Sequence, residues 1–369
     1  MTRPPSLTTP LQLHLGEAIA AAGGWIGFDR FMEMALYTPG WGYYASDSRK
    51  FGLMPAGVKD GGSDFVTAPE LSPRFGQALA RQLAQALEAT GTTEVWEFGA
   101  GSGALAQQLL EALPQLERYT IVDLSGSLRQ RQHERLQAFA GKVRWLTALP
   151  EQMSGVVVGN EVLDAMPVKL LARLGGVWHE RGVAVFDGSF TYADQRTDLR
   201  PPLEVEGPHD YVTEIHPQAE GFIRTLADRL VAGAVFLVDY GFPEQEYYHA
   251  QRSMGTLMCH RDHLADTDAL ADVGSKDITA HVNFTGIAVA GQEAGLQVLG
   301  YTGQGRFLLN CGLLDGLENA SLPERVMVQK LINEHEMGEL FKVIGFGAKN
   351  ASVEWEPIGF SAGDRTHTL

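Results

Sequence analysis

VWEFGAGSGAL, Val95 to Leu105, decides the fold. Val95, Trp96 and Phe98 have the β-branched and aromatic character of a buried strand, and Gly99, Gly101 and Gly103 then let the backbone turn sharply and approach a ligand without Cβ atoms in the way. Ala104 to Leu113 carries on as a helix. Strand, glycine turn and helix together make the opening unit of an α/β sheet with a nucleotide-type cofactor at its edge. The next strand, within YTIVDLS (Tyr119 to Ser125), ends at Asp123, where a carboxylate can meet both hydroxyls of a ribose. Leu124 can pack on an adenine, and Ser125 completes that edge.

The turn alone does not choose its ligand. Residues 99–104, G-A-G-S-G-A, also satisfy the nicotinamide pattern G-x-G-x-x-G/A, and a glycine turn can serve merely to connect a strand to a helix. Glu97, two residues before Gly99, favours S-adenosylmethionine, because E-x-G-x-G-x-G resembles the first motif of class I methyltransferases. That cofactor has no pyrophosphate. It offers an amino acid end, a sulfonium and an adenosine, so a carboxylate beside the turn attracts rather than repels. Ala100 lies within the same turn.

Composition narrows the function classes. The chain has 369 residues with 29 basic and 45 acidic side chains, a net charge of −16 that repels a nucleic-acid backbone on average and attracts a cationic substrate. The same acidity also serves solubility. Two cysteines, Cys259 and Cys311, make no disulfide framework and suit a reducing compartment as buried thiols. The N-terminus lacks a basic region followed by an apolar core, and no apolar run reaches membrane-spanning length, so the expectation is a soluble cytoplasmic protein with no signal or transit peptide.

Hydrophobic periodicity predicts helices over 11–22 and 28–37, and a longer one over 72–89 in which Phe75, Leu79, Leu83 and Leu87 recur every four residues before Gly91. After Asp123 the α/β rhythm continues through strands at 143–146 and 155–159, a hairpin over 178–192 turning at Asp187-Gly188, a helix over 218–230 and a strand over 234–241. A helix at 286–294, a strand at 296–301, a helix at 323–336 and a strand at 340–346 follow. The expected organisation is an N-terminal helical and loop extension over 1–93 and a cofactor domain over 94–350. That domain would hold an insertion around 169–215 and a lid-like segment around 242–285, with a loose tail over 351–369.

In open α/β sheets ligands sit beyond the carboxyl ends of the strands, so Glu97 and Gly99, Asp123, Asn160 and Glu161, and Asp239 and Tyr240 should converge. Asn160 and Glu161 fall nearest the expected methyl; alternatively, Asn160 caps a helix beginning at Glu161. DFVTAPELSPRFG, Asp64 to Gly76, brings Asp64, Thr67, Pro69 and Glu70 into one loop before a helix whose free N–H groups could take a cofactor carboxylate, although Ser72 can cap that helix without any ligand. DITAHVNF, Asp277 to Phe284, offers Asp277 and His281 as an orienter and a base, against the plainer reading of a structural histidine.

The ordered set DFVTAPELSPRFG, VWEFGAGSGAL, VDLS, VVVGNEVLDAMPV, VDYGF, DITAHVNF, QGRFLL and MGELFKVIGFG resembles the MidA-type family of class I methyltransferases, which includes the mitochondrial complex I assembly methyltransferase. The resemblance covers nearly the whole chain. It implies a Rossmann-like α/β fold with a mostly parallel seven-stranded sheet whose last strand is antiparallel, an N-terminal helical extension and an inserted lobe. It also implies S-adenosyl-L-methionine as cofactor, S-adenosyl-L-homocysteine as product, and protein-arginine methylation, with a respiratory complex subunit as a conceivable substrate and a homodimer left open. Asn283 stands where the family more often has aspartate, and G-S-D-F at Gly62 replaces its usual G-D-F.

Methylating a guanidinium requires no metal; it requires carboxylates that pair with two of its nitrogens and leave the third to attack. Glu161 and Asp164 are the expected clamp with Glu70 as a third arm, and His281 is the expected recipient of the released proton. A small-molecule methyltransferase and a non-catalytic cofactor-binding assembly factor are the other readings. A nicotinamide oxidoreductase finds no support outside the glycine turn.

Overall fold

The computed structural model describes residues 7–45, 67–123, 126–261, 264–349 and 355–369. Its central sheet is built from β1 (Glu94–Phe98), β2 (Arg118–Val122), β3 (Val143–Leu146), β4 (Met153–Asn160), β5 (Leu230–Phe242), β6 (Gln297–Gly303) and β7 (Phe341–Gly347). They lie side by side in the order β6-β7-β5-β4-β1-β2-β3. β1 to β5 are mutually parallel, and β7 runs antiparallel to both neighbours. The short strand Val282–Asn283 adds to the end of β5. A mostly parallel seven-stranded sheet with an antiparallel last strand is what the family resemblance implies.

Val156, Val157 and Val158 of β4 are wholly buried, as a parallel strand covered on both faces must be. One face takes Pro73–Thr90 and Ala104–Ala112, the other Pro217–Arg229 and Phe284–Glu293. The long helix begins and ends as its sequence specifies, with Ser72 accepting the Arg74 amide, Pro73 opening the first turn and Gly91 closing it at φ 64°. Successive strands fill outward from β1 to β3 on one side and resume with β4 on the other. The reversal between β1 and β4 opens a crevice at their carboxyl ends.

A second layer stands over that crevice. The strand Ile26–Gly27 pairs with Val177–Phe186 of the insertion, which continues through Lys169–Leu174, Ser189–Arg196 and Tyr211–Ile215 as one antiparallel sheet. The Asp187-Gly188 hairpin turn has φ 48° and 72°, both positive as a tight two-residue turn requires. Phe28, Phe31 and Leu36 of the N-terminal helices share a core with Leu170 and Val183 of the insertion and with Cys259 and Ile278 from 242–285. Three segments distant in sequence therefore form one lobe.

Two expectations are corrected. The helix predicted to reach 336 ends at Ile332, where Asn333 turns the chain into the separate short helix Met337–Leu340. The described part of the tail, 355–369, is not loose: Phe360 packs against Phe236 and Phe307, Arg365 forks onto Glu339, and Asp364 accepts the Tyr301 amide at 2.9 Å. Apolar anchors separated by glycine and polar residues conceal that docking from periodicity. Among the described residues no helix is long and apolar enough to cross a membrane.

Candidate active site

β1 delivers its chain into the crevice through three glycines that all have positive φ: 64° at Gly99, 51° at Gly101 and 80° at Gly103. Side chains resist that region, and a Cβ on Gly99 would stand 3.1 Å from Val162 Cγ2. Glu97, buried at the end of β1, accepts the Tyr119 hydroxyl at 2.8 Å. Burial pushes its pKa up to about 8 against the pull of that hydrogen bond, and the nearby Asp123 charge adds to the rise. Asp123 accepts Gln132 Nε2 at 2.9 Å, and the same amide group donates to Gly101 O at 3.0 Å. Trp145 in turn donates to Gln132 Oε1 at 3.0 Å. Gln132 thus ties the ribose-side carboxylate to the glycine turn, a role that nothing in its polar helix announces.

β4 ends at Asn160, but no helix begins at Glu161, so Asn160 is not a helix cap. Instead Asp239, three residues before the end of β5, accepts the amides of Val162, Leu163 and Asp164 at 3.0, 2.8 and 3.3 Å, and the chain turns around that one carboxylate. Glu161 enters the turn at φ 56°, a conformation non-glycine residues rarely hold and one that clusters at functional sites. Its half-buried carboxylate accepts Asn160 Nδ2 at 2.9 Å, and its pKa is pushed up to about 8, first by burial and then by the Asp164 charge. Asp164 is buried with Oδ2 under the Tyr240 hydroxyl and Oδ1 without a hydrogen-bond partner among the described residues; burial raises its pKa to about 6 against the pull of that hydroxyl.

Two candidates are displaced. Glu70 does not join Glu161 and Asp164: its carboxylate takes the Ser102 hydroxyl and the Arg135 guanidinium, the latter at 3.0 Å, behind the glycine turn. A nearby arginine outcompetes the cavity for that charge. Asp277 and His281 do not form the expected orienter and base, because Asp277 accepts the Tyr44 hydroxyl at 2.7 Å while His281 Nδ1 is buried without a partner among the described residues. The imidazole lies flat on Phe242 with centroids 5.1 Å apart and meets Tyr240 edge-on. Burial, aided by Arg252, lowers its pKa to about 4, so the ring is neutral near pH 7. Thr67 and Pro69 do reach the crevice, at the start of the short helix Ala68–Leu71, while Ser72 caps the long helix as the plainer reading has it. Leu124, Ser125 and Asp64 lie outside the described residues.

The crevice encloses about 1160 Å³. Small-molecule sites run to roughly 300–1,000 Å³, so this one has room for a cofactor and the end of an acceptor. Six carboxyl side chains face it, Glu33, Glu97, Asp123, Glu161, Asp164 and Asp277, and among the described residues of its wall there is no lysine or arginine. A positively charged cofactor fits that donor set, and the left-handed glycines supply the close backbone approach.

Residues 78–302 match the family described as "Putative S-adenosyl-L-methionine-dependent methyltransferase". The chain belongs to this methyltransferase family. A Burkholderia thailandensis protein crystallised with S-adenosyl-homocysteine is 50% identical, with a TM-score of 0.91 over 99% of this chain and 100% of its own. A native crystal structure from the same organism is 49% identical at TM-score 0.87, again over 99% and 100%. Among curated relatives, the Caenorhabditis elegans "Protein arginine methyltransferase NDUFAF7 homolog, mitochondrial" is 25% identical across 98% of this chain and 93% of its own. The Homo sapiens "Protein arginine methyltransferase NDUFAF7, mitochondrial" is 26% identical across 90% and 82%. The methyltransferase is an enzyme that uses S-adenosyl-L-methionine, which settles the choice the glycine turn alone left open.

Proposed function

We propose that this methyltransferase transfers methyl groups to an arginine side chain of a protein. The observation that carries the reading is the wall of the crevice, six carboxyl side chains with no described lysine or arginine, which is suited to cations that ionise the carboxyls they meet. The relatives named as protein arginine methyltransferases agree with it, at about a quarter of positions identical. A neutral small-molecule acceptor would leave the orphaned Asp164 Oδ1 and the raised Glu161 carboxyl without compensation.

Glu97, the turn Gly99-Ala100-Gly101 and Asp123 are assigned to the cofactor, with Thr67, Pro69 and Asn160 at its flanks. When bound, S-adenosyl-L-methionine supplies an electrophilic methyl on a sulfonium. Glu161 and Asp164 then pair with two guanidinium nitrogens and hold the third in line, so that most of the rate comes from orientation and exclusion of water. Both carboxylates must be ionised to do so. The guanidinium nitrogen loses one proton on methylation, and Glu161 Oε is its recipient, because a carboxyl raised to about 8 holds a proton better than an imidazole lowered to about 4. His281 is left as a neutral wall that keeps Tyr240 against Asp164.

Glu161→Gln tests this directly. It keeps size and removes charge, so S-adenosyl-homocysteine affinity should stay within a few-fold while kcat/KM for an arginine substrate falls at least ~100-fold, about 2.7 kcal/mol of transition-state stabilisation. Wild-type turnover by the variant would remove Glu161 from the clamp.

A further inference from the structure

Asp277 stands outside the Glu161–Asp164 pair, yet it faces the same cavity. It lies on the strand Asp277–Thr279, opposite His260 of Met258–Arg261, and is nearly inaccessible to solvent. Tyr44 donates to its Oδ2 at 2.7 Å and the Ile278 amide to its Oδ1 at 2.9 Å, which fixes the carboxylate against the wall. Tyr44 is itself braced. Its ring stacks on Tyr37 with centroids 5.6 Å apart and planes at 20°, and Tyr37 donates to Ala165 O at 2.9 Å, one residue past Asp164. The Ala280 amide, just past the Asp277 strand, donates to Asp164 O at 3.0 Å and ties that strand to the Asp164 turn. The Asp277 charge is close enough to strengthen the hold of Glu161 on its proton.

Acids gathered in a cavity do not by themselves make a site. Here a second observation points to a ligand: Asp164 is 5% exposed, and its Oδ1 is buried in this wall with no hydrogen-bond partner among the described residues. A native structure leaves few such atoms without purpose. A planar cation with several N–H donors would satisfy Asp164 and meet Asp277 from another edge.

We propose that Asp277 is a specificity-determining residue that accepts from the acceptor's guanidinium on the side away from Glu161, and that Tyr44 is the positioning residue that aims it. This rests on the arginine reading above. It makes the N-terminal segment Tyr37 to Tyr44 part of acceptor recognition, although it is over a hundred residues from the next acceptor residue in sequence. The cofactor-binding residues then lie on the sheet and the acceptor-reading ones are divided between sheet and lobe.

The test uses full-length protein saturated with S-adenosyl-homocysteine and titrated with ethylguanidinium, the head group of arginine, or with neutral ethylurea of the same shape. Wild type should prefer ethylguanidinium by at least about tenfold, Asp277→Asn should weaken it at least about fivefold, and Tyr44→Phe about threefold, with ethylurea binding unmoved. Tyr44→Phe removes one hydroxyl, so it carries the test if Asp277→Asn does not fold, and a shift in S-adenosyl-homocysteine affinity would mark general damage and count against the proposal. Unchanged ethylguanidinium affinity in both variants would overturn the role of Asp277 and leave arginine as acceptor. Equal binding of ethylguanidinium and ethylurea by wild type would overturn both.

Discussion

Glu97→Gln should flatten the dependence of stability on pH in the cofactor-free methyltransferase. Glu97 is 2% exposed and has the Tyr119 hydroxyl but no basic side chain among its described partners, so the fold holds it protonated up to about pH 8 whereas the unfolded chain releases that proton near 4.5. A carboxyl raised in the folded state contributes stability that is fully present below the unfolded pKa and is lost as pH rises through the folded one. One pH unit is worth about 1.4 kcal/mol, so this single group should remove roughly 3–4 kcal/mol between pH 5 and pH 8. Glutamine keeps an oxygen for Tyr119 and does not titrate. Urea unfolding at half-unit pH steps should therefore show wild type losing about 3 kcal/mol more than Glu97→Gln across that window, whatever the offset between them at pH 5. Parallel curves for the two proteins would refute the reasoning, because they would mean that Glu97 is ionised in the folded protein at neutral pH.

Gly101→Val forces a branched side chain to φ 51° in the turn, and calorimetry should find S-adenosyl-homocysteine binding abolished while the circular dichroism of the fold is retained. For wild type, kcat/KM on an arginine substrate should rise between pH 6 and pH 8.5, as Asp164 and Glu161, raised to about 6 and about 8, become carboxylates able to hold a cation. The upper part of that rise should be missing from whatever residual activity Glu161→Gln retains.

The sheet was legible because its strands obey local rules: apolar runs bounded by glycine turns, and helices with caps and a four-residue repeat, as in Ser72 to Gly91. The cofactor end of the site was legible for the same reason, since Glu97, Gly99, Gly101 and Asp123 sit at fixed offsets within single β-α units. The acceptor end was only half legible. Glu161 and Asp164 directly follow a strand, whereas Glu70 is no third arm of the clamp because Arg135, 65 residues away, captures it behind the glycine turn. Asp277 and His281 share a short segment, yet Tyr44, 233 residues distant, takes the carboxylate, and Phe242 takes the imidazole. Short-range spacing cannot report competition from partners that only the fold brings near. The docked tail is hidden from the sequence on the same ground, its anchors Phe360 and Arg365 finding Phe236, Phe307 and Glu339 far away in the chain.

The most direct measurement of the arginine assignment is tandem mass spectrometry of proteins labelled from methyl-deuterated S-adenosyl-L-methionine, in a lysate of cells lacking the gene, with wild-type enzyme or Gly101→Val added back. Deuterated methyl groups should appear on arginine side chains of one or a few proteins with wild type and on none with the variant. Label appearing only in neutral small molecules, or on protein residues other than arginine, would contradict it.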